Sequence, residues 1–122
     1  MKVMIVEDDA IINLSLRHFL MSKGWDVIDS ADTYDKAMNI ALEKRPDVIL
    51  MDIQLKEDKS GMDAALELKK HYDPYIIFCT AYNDPELLEE AEKLKCPYFI
   101  KPLQKDDIHK TIINFKKKNK TQ

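Results

Sequence analysis

Val3-Met4-Ile5-Val6-Glu7-Asp8-Asp9 runs four apolar residues straight into three acids, and Val48-Ile49-Leu50-Met51-Asp52 repeats the pattern with one acid. Two short apolar runs that end in carboxylates read as two strands delivering acids to one edge of a sheet. If those strands are parallel neighbours, the acids converge in the crevice outside the strands' carboxyl ends, where open α/β folds place their ligands. Carboxylates crowded at one rim repel each other. A hard, oxygen-ligated divalent ion such as Mg²⁺ relieves that repulsion, so the pattern points to a Mg²⁺ site.

Outward from these two runs, strand-like segments alternate with helix-period segments along the whole chain, which argues for five βα units and a parallel sheet. Ile12, Leu16, Phe19 and Leu20 mark one face of a first helix, and Gly24 supplies its stop. Trp25 to Ile28 reads as the second strand. Tyr34, Ala37, Met38, Ala41 and Leu42 form a second stripe that must end before Pro46. After a polar stretch from Ile53 to Ser60, a third helix follows Gly61. Tyr75 to Cys79 is the fourth strand. Asp84-Pro85-Glu86 then gives an N-cap, a first-turn proline and a first-turn acid, so a fourth helix starts there with Leu87, Ala91 and Leu94 inward. Pro97 to Ile100 makes strand five, and Ile108, Ile112 and Phe115 define a last helix whose Lys116-Lys117-Lys118 end suits the negative dipole pole.

The 122 residues are read as one domain, 1–122, with a single core. A net charge of −3, from 22 acids against 19 bases, gives no reason to expect nucleic-acid affinity. No apolar run approaches the roughly 18 residues of a membrane span, and no signal peptide is legible, so a cytoplasmic location is expected. Cys79 and Cys96 sit at the end of one strand and the start of another, roughly 13 Å apart at strand rise, too far for a disulfide. His18, His71 and His109 lack ligand spacing and read as structural or surface residues.

Each strand end places a polar residue first beyond the apolar run: Glu7-Asp8, Asp52, Thr80 and Lys101. Together they make an acidic pocket with one hydroxyl and one mobile cation, a set suited to phosphoryl transfer. Asp52 would be the nucleophile, Asp8 and Asp52 would hold Mg²⁺, and Thr80 and Lys101 would bind the remaining phosphoryl oxygens.

Met4-Ile5-Val6-Glu7-Asp8-Asp9, Leu50-Met51-Asp52-Ile53-Gln54, Cys79-Thr80-Ala81-Tyr82 and Tyr98-Phe99-Ile100-Lys101-Pro102 resemble, in order and from end to end, the four signature segments of the response-regulator receiver domain. The resemblance implies a flavodoxin-like, doubly wound sheet of five parallel strands in the order 2-1-3-4-5, with five helices on both faces. It implies that a sensor histidine kinase or histidine phosphotransfer protein donates phosphate to Asp52, and that the domain catalyses only its own phosphorylation and dephosphorylation. Carried across by position, Gln54 offers its backbone carbonyl to the metal and Glu7 acts through water. Lys101-Pro102 is expected to be cis, and Thr80 and Tyr98 to form a switch. That switch would reshape the face of helix four, strand five and helix five for a downstream protein or a second copy. The mixed charges of that face, Glu86, Glu89, Glu90 and Glu92 with Lys93, Lys95 and Lys105, suit a protein rather than nucleic acid. Gln54 and Tyr82 are expected to flank the water that hydrolyses the acyl phosphate, with Tyr82 shielding it.

The loop from Gln54 to Gly61 departs from the common pattern, lacking a proline at Lys56 and carrying one extra residue before the glycine. It resembles a variant loop of receivers associated with sensory proteins. Lys95-Cys96-Pro97 replaces the usual small step before strand five, tolerable at a strand start. Taken singly, each site residue has a plainer reading: Glu7-Asp8-Asp9 as the acidic first turn of a helix, Asp52 as a turn former, Lys101 as a surface lysine. A dehalogenase-like phosphatase would want an acid where Gln54 stands, and a flavin binder would not place three acids beside a phosphate. The competing function is a pseudo-receiver or relay intermediate acting mainly as a protein-binding module.

Overall fold

The computed structural model describes residues 1–55, 59–81 and 83–120. Its elements alternate as β1 (Lys2–Val6), α1 (Ala10–Ser22), β2 (Asp26–Ala31), α2 (Tyr34–Lys44), β3 (Val48–Asp52), α3 (Gly61–Leu68), β4 (Tyr75–Thr80), α4 (Pro85–Lys93), β5 (Tyr98–Ile100) and α5 (Lys105–Lys120). The strands form one parallel sheet in the order β2-β1-β3-β4-β5, as the resemblance implied.

Alternation within the strands builds two cores, one on each face of the sheet. Met4, Val6, Ile49, Met51, Ile76 and Phe78 face Ala37, Met38 and Ala41 of α2, Leu68 of α3 and Ala91 of α4. Val3, Ile5, Val48, Leu50, Ile77 and Cys79 face Leu16 and Leu20 of α1 and Ile108 and Ile112 of α5. A strand covered on both faces needs apolar residues at every position, which is why β1, β3 and β4 read as unbroken runs. Each large side chain buried in this way contributes about 1.5–3 kcal/mol.

The helix boundaries follow local chemistry. Asp9 caps α1 by accepting from the Ile11 and Ile12 N–H groups, at 2.9 and 3.1 Å, and Asp84 caps α4 ahead of Pro85. Ser60 and Asp63 form a reciprocal capping box on α3. Gly24 follows α1 at φ +87, where a side chain would be strained.

Strand two differs from its sequence reading. It continues through Asp29 and Ser30 to Ala31, and its register with β1 shifts between Val3 and Met4, which absorbs Ile28 as an extra residue. An edge strand tolerates polar residues because one side meets solvent. Here Lys44 pairs with Asp29 at 2.9 Å. Strand five is shorter than expected and starts at Tyr98. Both cysteines are free, and Cys79 stands opposite Phe99, three residues beyond Cys96. The Lys101-Pro102 bond is cis. Lys56, at which the loop departs from the common pattern, and Tyr82 lie outside the described residues.

Candidate functional site

Two adjacent strands, β1 and β3, bring Glu7, Asp8 and Asp52 to one rim with ligand oxygens all within 4.8 Å of one another. The fold holds each by its backbone. Glu7 N–H donates to the Ala31 carbonyl at 2.9 Å, and the Asn13 amide of α1 donates to the Glu7 carbonyl at 3.2 Å. Asp9 N–H donates to Glu7 Oε2, so the acid that caps α1 also steadies the acid of the pocket. The three acids thus divide their work: Asp9 caps the helix, and Glu7 and Asp8 enter the pocket.

Asp52 closes β3, and its Oδ1 accepts from the Gln54 N–H at 3.0 Å. Gly61 lies directly over it. A Cβ built at Gly61 would stand 2.0 Å from the Asp52 carbonyl oxygen and 2.8 Å from Met51 Cγ, so only glycine permits this approach. Gly61 N–H donates to the Ile53 carbonyl at 2.7 Å, fastening the start of α3 to the end of β3.

Lys101 reaches in from the end of β5. Its ammonium lies 2.6 Å from Glu7 Oε1 and 3.1 Å from Asp52 Oδ2, bridging β1 and β3. Its backbone N–H donates to the Thr80 carbonyl at 2.7 Å, which sets Thr80 beside it. Glu7 and Asp52 are only 3% and 4% exposed, and Thr80 is fully buried. Tyr98 is half-buried and packs against the core on the α4 side.

These charges are in tension. Burial above all, then the neighbouring Asp52 carboxylate, raises the Glu7 carboxyl above its ordinary range, and the Lys101 hydrogen bond offsets only part of that. Asp8 is raised as well, by burial first and Glu7 next. Burial works against the Lys101 ammonium, yet Glu7 and Asp52 outweigh it and leave its pKa above the ordinary lysine value. Three carboxylates against one ammonium leave two negative charges, which a single divalent cation would neutralise. The oxygen-only donor set fits a hard ion such as Mg²⁺.

The structure gathers the side chains that the sequence reading grouped: Glu7, Asp8, Asp52, Thr80 and Lys101 share this rim, and Gln54 touches Asp52 through its N–H. That reading passed over Asn13, whose signal is a polar residue one turn after the Asp9 cap, and it took Gly61 only for a helix start.

The whole arrangement, from strand order to strand-end residues, is that of a signalling receiver. The chain belongs to the response regulator receiver domain family, whose model matches residues 3–113. It is 33% identical over 124 residues to the sensory transduction protein LytT of Bacillus cereus, covering 100% of this chain and 50% of that protein. Over 113 residues it is 37% identical to the phyllosphere-induced regulator PhyR of Methylorubrum extorquens, covering 91% of this chain and 42% of that protein. The chain therefore spans about half the length of these relatives. Among solved structures it is similar to the signal receiver domain of a modulated diguanylate cyclase from Desulfovibrio desulfuricans, with a TM-score of 0.86, 34% identity and coverage of 98% and 97% of the two chains.

Proposed function

We propose that this receiver takes a phosphoryl group from a phosphohistidine partner, a sensor histidine kinase or a histidine phosphotransfer protein, onto Asp52. The observation that carries the reading is the bridge of Lys101 to both Glu7 and Asp52 within a buried three-carboxylate cluster. An Asp52 carboxylate oxygen attacks phosphorus, the phosphorus–nitrogen bond breaks with its electron pair going to nitrogen, and the imidazole, already protonated on its other ring nitrogen in the donor, leaves neutral. Lys101 and Thr80 are placed to receive the phosphoryl oxygens. Asp8 and Asp52, with the Gln54 carbonyl and with Glu7 through water, would hold Mg²⁺, which supplies charge neutralisation for the incoming oxygens when bound. Chemistry is confined to the domain's own aspartate; no other substrate is turned over.

The phosphodonor has a face to dock on. Ile11, Leu14 and Met21 are 81%, 56% and 56% exposed along one side of α1, an unusual share of large apolar surface for a helix packed on a sheet. A groove of about 250 Å³ beside it is lined by Ile11, Ile12, Leu16, Pro102, Leu103 and Lys101, the lysine that touches Asp52. A helical partner seated there presents its histidine to the pocket.

Output follows from the other side. Phosphorylation draws Thr80 toward the new oxyanion and lets Tyr98 turn inward, which reshapes the α4, β5 and α5 face for a downstream protein or a second copy. We place the domain in the cytoplasm, in keeping with the absence of any described helix long and apolar enough to cross a membrane. Mg²⁺-dependent labelling by acetyl phosphate tests the reading: stoichiometric label on Asp52 supports it, and no label with Mg²⁺ bound makes the chain a protein-binding module instead.

A further inference from the structure

The amino-terminal end of β2 carries a contact that the phosphoryl-transfer reading does not use. Trp25, just ahead of β2, donates its indole N–H to Nδ1 of His109 on α5 at 2.9 Å. The two rings meet edge to face at 5.8 Å, and the His109 ring meets Phe19 of α1 in the same way at 6.3 Å. One imidazole thus ties together three segments, α1, the entry to β2, and α5.

The direction of that hydrogen bond fixes the protonation state it needs. An indole N–H only donates, so Nδ1 must carry a lone pair and the ring proton must sit on Nε2. An imidazolium ion has two N–H groups and no acceptor, so the same contact cannot survive protonation. The surroundings do not replace it. At the C-cap of α1, the Lys23 ammonium lies over Phe19 at 5.6 Å. From α5, Lys116 covers the Trp25 ring at 5.6 Å, and Lys105, one turn before His109, bonds to Ser15 of α1. The acids near by in sequence are Asp106 and Asp107, exposed residues in the first turn of the same helix, and Asp26, which follows Trp25. A cation at His109 therefore joins three lysines and loses its donor.

We propose that the Trp25–His109 contact is an acid-released latch: protonation of His109 at Nδ1 breaks the bond from the Trp25 indole and frees α5 from the corner between α1 and β2. The latch stands apart from the carboxylate pocket, and its action does not depend on Asp52.

Trp25 is the only tryptophan of the chain, so its fluorescence and its indole N–H resonance report on the latch directly. Taking the wild-type protein from about pH 8 to about pH 5 should shift both along a single protonation, and amide exchange in α5 should accelerate beyond the intrinsic change. His109→Gln keeps an acceptor at every pH and should hold emission and exchange flat, whereas His18→Gln and His71→Gln should titrate like the wild type. A flat wild-type signal overturns the proposal, as does a titration that persists in His109→Gln or an α5 exchange pattern that ignores the Trp25 transition. Should His109→Gln fail to fold, the wild type still decides. The His109 ring carbons and the indole N–H must move with one midpoint, and two different midpoints refute the latch.

Discussion

The two ends of the sheet solve opposite problems with similar residues. At the amino-terminal end, polar groups are neutral or solvent-facing: the Tyr72 hydroxyl donates to the Pro46 carbonyl at 3.1 Å and Lys2 N–H donates to Asp47, while the Tyr75 ring stacks on Phe115 at 4.0 Å. At the carboxyl end, two nearly buried acids and a third beside them share one lysine. At the first end, removing such a contact costs stability. The second carries like charges that cost stability as they stand, an arrangement that clusters at functional sites.

Breaking that contrast at its centre gives the largest effect. Asp52→Ala should abolish Mg²⁺-dependent phosphoryl labelling while leaving the urea midpoint unchanged or raised, because it removes one of three mutually repelling carboxylates. Label retained at full stoichiometry elsewhere would remove Asp52 from its role. Gly61→Ala comes next. With a Cβ forced to within 2.0 Å of the Asp52 carbonyl, the strand end or α3 must shift, costing about 1–3 kcal/mol and most of the labelling rate. Chemical denaturation and labelling measured on the same sample check both.

Lys101→Met sharpens the contrast by leaving Glu7 and Asp52 without their shared cation. The metal-free protein should lose on the order of 3 kcal/mol, and Mg²⁺ at a hundredfold its dissociation constant should return about 2.7 kcal/mol. A variant as stable as the wild type without metal would mean that the bridge holds nothing. The smallest effect belongs to the other end. Tyr72→Phe should cost about 1 kcal/mol at neutral pH through the lost hydrogen bond. Burial pushes the Tyr72 phenol up from 10.0 to about 12. A raised pKa means that its stabilising contribution is complete below pH 10 and is lost as pH climbs through about 12. The wild type should therefore weaken more steeply than Tyr72→Phe across that window, as read by urea midpoints at each pH.

The same contrast explains what could be read from sequence. The buried strands announce themselves because both faces are covered, and their terminal acids stand out against apolar runs; hence β1, β3 and the Glu7, Asp8 and Asp52 cluster were legible. Strand two was cut short because an edge strand has no such constraint, and the partner that completes Asp29 lies on α2, far along the chain. Asn13 and Gly61 escaped for a different reason. Their importance lies in backbone atoms of other segments, a carbonyl at Glu7 and a carbonyl at Asp52, and no residue pattern records where a carbonyl will point.

The bond between Gly61 N–H and the Ile53 carbonyl turns the seven residues from Gln54 to Ser60 into a closed eyelet, tied off where it leaves the sheet and where it returns. A ring fastened at its neck passes no length change to the fabric it is sewn to, and each doubling of such a loop costs only about 0.6 kcal/mol. Lineages, or engineers, are free to lengthen the eyelet, decorate it or graft a recognition segment into it, provided that a glycine still ties the knot.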